Sequence, residues 1–159
     1  MIVTRPNRVT RTYRQHLQAG PERVLPLLCP VREIDWASGW LPQFVASRSG
    51  LAEQDCVFTT PGDGTEAVWY ITRHEPDNGC VEMLKITPGV TACRIQIQLS
   101  AGVDECFADV TYSHTSLGPR GDAFNASFTG DYYQMFMQQW ERELNHYLVT
   151  GSRLASHEI

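Results

Sequence analysis

The chain has 159 residues, 18 acidic against 13 basic side chains, a formal charge of −5, and a composition that is 42% hydrophobic and 19% charged. That length suits one domain around one core, and the composition excludes a disordered chain. The acidic balance argues against a nucleic-acid partner, which would need a concentrated Lys/Arg face, and Lys85 is the sole lysine.

No apolar run approaches the roughly 20 residues that span a bilayer. The opening MIVTRPNRVTRTYRQ lacks an apolar segment followed by a small-residue cleavage site. The expectation is a cytoplasmic protein with no stable membrane insertion. Cys29, Cys56, Cys80, Cys93 and Cys106 are odd in number, well separated and free of any CxxC pair. They read as reduced thiols acting as small buried hydrophobes.

Residues 8 to 18, RVTRTYRQHLQ, alternate charged with β-branched and aromatic residues, which predicts a first strand with one wet face. AGPERVLPLL follows as a short helix: Pro21 suits its first turn, Glu22 its positive end, and Val24, Leu25 and Leu28 supply an apolar stripe. Pro26 and Pro30 keep it short. The stretch LLCPVREIDWASGWLP forms a second short helical piece and delivers the chain to the next strand.

FVASR, CVFTT, EAVWYITRH, CVEMLKI, TACRIQIQL and ECFADVTYSHT then read as six strands. SGLAEQD, PGDG, EPDNG, TPG and SAGVD separate them as turns. In CRIQIQL, Cys93, Ile95, Ile97 and Leu99 fall on one face and Arg94, Gln96 and Gln98 on the other. From about Asp122 the period becomes helical and runs to Gly151, with Gly130 as the true start or a kink. Tyr133, Met137, Trp140 and Leu144 make the stripe that should lie across the apolar face of the sheet.

The order of strand, two short helical pieces, six antiparallel strands and long C-terminal helix resembles the START/Bet v 1-like superfamily, also called the SRPBCC or polyketide cyclase/dehydrase and lipid transport group. AGPERVLPLLCP, GWLP, VWYITRHEPD and WERELNHYLVTG carry the resemblance. It implies an α+β helix-grip fold: a curved seven-stranded antiparallel sheet wrapped around the long helix, in a single domain over residues 1–151 with a frayed tail over 152–159. It also implies an apolar cavity that takes a small hydrophobic molecule. Plant relatives carry a glycine-rich loop after the second strand; SRSGLAEQD has one glycine, Gly50, so a phosphate-cradling role is unsupported.

With Ile95 and Ile97 inward, the same alternation nominates Phe58, Trp69, Ile71, Val110 and Tyr112, faced by Phe136, Met137 and Trp140 from the helix. This set makes either a cavity wall or a filled core. Trp36 and Trp40 are expected to plug the end of the concave face or to rim the entrance. Among polar groups, Asp35 is the candidate acid, with pairing to Arg32 as its blander role. Tyr112 and His114, two apart on one strand face, could present a phenol and a general base. Asp109 should face water, and the strand period leaves Glu82 unoriented. His16, His74, His114, His146 and His157 show no metal-ligand spacing. No nucleophile elbow or nucleotide-binding glycine motif is present, and no cofactor is expected. Two functions fit: a carrier or sensor for a hydrophobic, aromatic or lipid-like molecule, or a cyclase, aromatase or dehydratase acting in the same cavity.

Overall fold

The computed structural model describes residues 1–62 and 64–155; His157 and the end of the expected tail lie outside them. Strand β1 (Arg8–Leu17) leads into helix α1 (Pro21–Val24) and two 3-10 turns, Leu25–Leu27 and Arg32–Asp35. The six remaining strands follow: β2 (Phe44–Ala46), β3 (Val57–Thr60), β4 (Ala67–Glu75), β5 (Cys80–Thr87), β6 (Thr91–Ala101) and β7 (Cys106–Ser116). The C-terminal helical region is two helices, α2 (Pro119–Ser127) and α3 (Gly130–Thr150). The break falls at Thr129, whose hydroxyl accepts from the backbone of Tyr132 as an N-cap, so Gly130 is the start of the long helix. Gly151, at φ +71, ends it in the left-handed conformation glycine tolerates.

All neighbours in the sheet are antiparallel and the order is β1-β7-β6-β5-β4-β3-β2. The meander closes through β7 pairing back onto β1, which leaves the short β2 as one edge. Within β4 the register slips between Ile71 and Arg73, a bulge that bends the sheet where it must curve around α3. The concave face is apolar because β6 alternates as expected: Cys93, Ile95, Ile97 and Leu99 are buried and Arg94, Gln96 and Gln98 exposed.

Helix α3 buries Tyr133, Met137, Leu144 and Leu148 against that face. The Tyr133 hydroxyl donates to the carbonyl of Val110 at 2.6 Å inside the core. Tyr133→Phe is expected to cost about 1–2 kcal/mol, since an acceptor loses its donor away from water; urea denaturation measures it. Gln15, buried on β1, donates to the Met137 carbonyl at 3.1 Å and ties the opposite edge to the same helix.

The proline-broken segment after α1 is fastened by indoles. Trp36 donates through Nε1 to the carbonyl of Leu27 at 3.0 Å and Trp40 to that of Pro30 at 2.7 Å. All five cysteines are free and buried. Past Gly151 the chain still packs: Leu154 is buried and Arg153 donates to the Ile34 carbonyl. No helix among the described residues is long and apolar enough to cross a membrane.

Candidate functional site

Between sheet and α3 lies a cavity of about 420 Å³. Its floor is the concave face: Phe58 from β3, Trp69 from β4, Met83 from β5, Ile95 and Ile97 from β6, and Tyr112 from β7. Phe136 and Trp140 of α3 form the roof, and the segment from Ala37 to Trp40 closes the end. Aromatic rings meet edge to face at the closed end, with Trp40 5.7 Å from Trp69 and 6.1 Å from Phe58. Phe58 and Trp69 stack at 5.1 Å. Phe136 is 40% exposed, and with exposed Leu41 and Tyr132 gives an adjoining cavity an apolar rim of the kind that marks a binding entrance.

Of the residues expected to line it, Trp40, Phe58, Trp69, Ile95, Ile97, Tyr112, Phe136 and Trp140 do. Trp36, Ile71, Val110 and Met137 are wholly buried and pack behind the walls. Trp36 is therefore not on the rim of the entrance. Its ring lies under Trp140 at 5.6 Å and supports the roof from inside the core.

Asp35 also falls outside the cavity, exposed on the surface with Arg32 donating to it at 2.8 Å. The reason is the 3-10 turn over Arg32–Asp35, in which residues three apart eclipse. Arg32 and Asp35 share the outer side; Glu33 and Trp36 share the inner one. Glu33 is consequently an acid of the cavity wall. Burial pushes its carboxyl up to about 8, so it holds its proton at neutral pH.

Glu143 is a second carboxylate in the wall and is 3% exposed. Unlike Glu33 it is supplied with donors: the backbone N–H of Ser38 at 3.0 Å and Nε2 of Gln139 at 2.6 Å. Those bonds fasten the closing segment to α3 and place Gln139 in the wall as well. Burial raises the Tyr112 phenol well above its ordinary range, with nearby Cys93, Tyr133 and Glu33 adding to the effect. Its hydroxyl makes no hydrogen bond to another described residue, so in the cavity it is a protonated group available to a ligand.

His114 lies beside Tyr112 as expected, ring centroids 6.0 Å apart, but it is buried between Phe124 and Phe128. Burial pushes its pKa down to about 4, leaving a neutral imidazole. Asp109 faces out and pairs with Arg14 at 2.7 Å. Glu82 lies on the convex side, accepting from Gln96 at 2.9 Å and Thr72 at 3.1 Å. Lys85, on the same strand, points the other way and lines the adjoining cavity of about 440 Å³ beside Trp69 and His114. Among the described residues no group of three His, Cys, Asp or Glu side chains is placed to hold a metal ion.

No protein-family model matches the sequence, and no curated protein does. Solved structures do match. Norcoclaurine synthase from Thalictrum flavum has a TM-score of 0.66 at 9% identity, covering 91% of this chain and 88% of that one. CalU16 from Micromonospora echinospora gives 0.61 at 15% identity, covering 97% and 89%. Ara h 8.0201 gives 0.62 at 10%, covering 91% and 99%. DynU16, from the dynemicin biosynthetic locus, gives 0.59 at 17% over 90% of this chain, which spans 48% of the length of that one.

The class is therefore a helix-grip protein with an interior cavity. The resemblance to the START/Bet v 1-like, or SRPBCC, proteins is shown in the fold, and identities this low carry the fold alone.

Proposed function

We propose that the protein binds a small, largely apolar aromatic molecule beneath α3, as a carrier or sensor. The observation that supports this reading is the cavity of about 420 Å³ walled by Trp40, Phe58, Trp69, Phe136 and Trp140, with a few polar groups among them. Its size lies within the range of small-molecule sites, and its mix of apolar wall and sparse polar anchors is what such sites use to fix orientation. Glu33 and Tyr112 supply the anchors, each a protonated group able to donate to an oxygen of the ligand. Norcoclaurine synthase, a structural neighbour, has been solved with dopamine and hydroxybenzaldehyde, ligands of the size this cavity suits.

One observation favours the second reading, an enzyme of the cyclase, aromatase or dehydratase kind. Glu33 is a carboxylic acid kept protonated near neutrality, which is the state a general acid needs.

Binding is read from tryptophan fluorescence, since three of the four indoles face the cavity. Titration with 2-naphthol is expected to give saturable quenching, and Trp40→Ala to weaken it roughly tenfold by removing one aromatic wall. Absence of saturable quenching in the wild type would overturn the reading.

A further inference from the structure

The chain's single lysine is inside it. Met83 and Lys85 share the inward face of β5, and Lys85 is directly opposed by Trp69 on β4 and by Cys93 on β6, which in turn opposes His114 on β7. Trp69, Lys85, Cys93 and His114 thus form one row across the concave face. The ammonium nitrogen of Lys85 lies 4.7 Å from the centre of the Trp69 ring. No carboxylate among the described residues pairs with it.

Two cavities, of about 440 and 430 Å³, have both Lys85 and His114 in their walls. The first shares Trp40, Trp69, Tyr112 and Phe136 with the aromatic cavity. A molecule held by those rings therefore has the lysine amine at one end of its enclosure.

An amine taken out of water without a counter-ion is driven toward its free base, and burial lowers the Lys85 pKa accordingly. At the far end of the row His114 is neutral, and its Nδ1 is buried without a hydrogen-bond partner. An amine whose charged form burial disfavours and a neutral imidazole, both in the walls of the same two cavities, are the parts of a nucleophile and its proton acceptor.

We propose that Lys85 is a nucleophilic amine that condenses with the carbonyl of an aromatic aldehyde or ketone held in the cavity, with His114 carrying the proton. The proposal rests on the reading that the interior admits a small molecule. The Nζ lone pair forms a C–N bond to the carbonyl carbon, and the C=O π electrons move to oxygen. A proton leaves nitrogen through the imidazole and arrives on that oxygen, giving a carbinolamine. The imidazole then relays the remaining N–H proton of the carbinolamine to the hydroxyl oxygen; the C–O bond breaks, the oxygen leaves as water, and the nitrogen lone pair closes the C=N bond. One amine and one carbonyl become one Schiff base and one water, with no change of oxidation state, and the reverse path regenerates the amine.

Because the α-amine of Met1 is the one other amine in the sequence, the test is direct. The full chain is incubated with 2-naphthaldehyde and sodium cyanoborohydride, an external hydride donor that traps the Schiff base, and adducts are mapped by peptide mass spectrometry. The expected result is an adduct on Lys85 that forms faster than on Nα-acetyllysine, forms more slowly in His114→Asn, and is suppressed when excess 2-naphthol is present during the incubation. It should be lost in Lys85→Met and in Lys85→Arg, the second keeping the positive charge; circular dichroism verifies that both fold.

Labelling of Met1 alone, or of Lys85 no faster than of Nα-acetyllysine, overturns the nucleophile. If 2-naphthaldehyde still quenches tryptophan fluorescence in that case, the ligand cavity stands and the amine chemistry falls. If there is neither quenching nor a Lys85 adduct, both fall.

Discussion

Trp36→Ala is expected to lower the unfolding free energy by about 3–5 kcal/mol, the cost of truncating a large, fully buried aromatic side chain. Trp36 is 0% exposed, its Nε1–H donates to the Leu27 carbonyl, and its ring supports Trp140. Truncation therefore leaves a void under the roof of the cavity and a buried carbonyl without its donor. A domain of this size has roughly 5–15 kcal/mol in hand, so the variant should sit near the edge of folding.

Trp40→Ala is the informative comparison. Trp40 is half-buried because one side of its ring faces the cavity, so its removal opens space that is already open and should cost markedly less. Urea denaturation of the two variants, set beside 2-naphthol titration, should separate them: Trp36→Ala loses stability first, Trp40→Ala loses binding first. Equal destabilisation by both would show that the cavity does not persist as an enclosed space in solution.

The two tryptophans also show what the sequence could and could not convey. They stand four residues apart in a segment broken by prolines, and both look like plug or rim candidates. The segment has no helical period to tell an inward from an outward position. The fold itself was legible, because β6 and β7 alternate cleanly and turn residues punctuate every strand.

β5 was legible as a strand but not in its facing, since its convex side carries Leu84 and Ile86, paired with Tyr70 and Val68 on β4, so both faces are apolar. With that contrast gone, the alternation that puts Val81, Met83 and Lys85 inside disappears from view, and the lysine with it. Glu33 was hidden for a related reason. In REID the acids at 33 and 35 look interchangeable until the chain is known to turn with three residues per turn. Glu143 was masked by the aromatic stripe of its own helix, and its role shows once Ser38 is seen to donate to it.

Glu33 gives the protein a pH dependence of unusual sign. Its carboxyl titrates near 4.5 in the unfolded chain and at about 8 in the folded one. Between those values the native state holds a proton that the unfolded chain has released, so stability falls as pH rises and levels off above about 8. A carboxylate paired in the native state would do the opposite. The full displacement sets a ceiling of about 5 kcal/mol. Glu33 keeps some access to water through the cavity, which screens the charge, so a loss of about 2 kcal/mol or more between pH 5 and pH 9 is the expected size.

Glu33→Gln keeps the shape and the hydrogen-bonding capacity without the titration. It should match the wild type at pH 5 and exceed its stability at pH 9. His114 contributes with the other sign: its pKa is pushed down to about 4, so acid below its ordinary range destabilises the native state. Both proteins carry His114, and the difference between their urea midpoints at pH 5, 7 and 9 isolates Glu33. A difference that stays constant over that range would mean that Glu33 ionises normally in the folded protein, and the general-acid role would fall while the aromatic cavity remained.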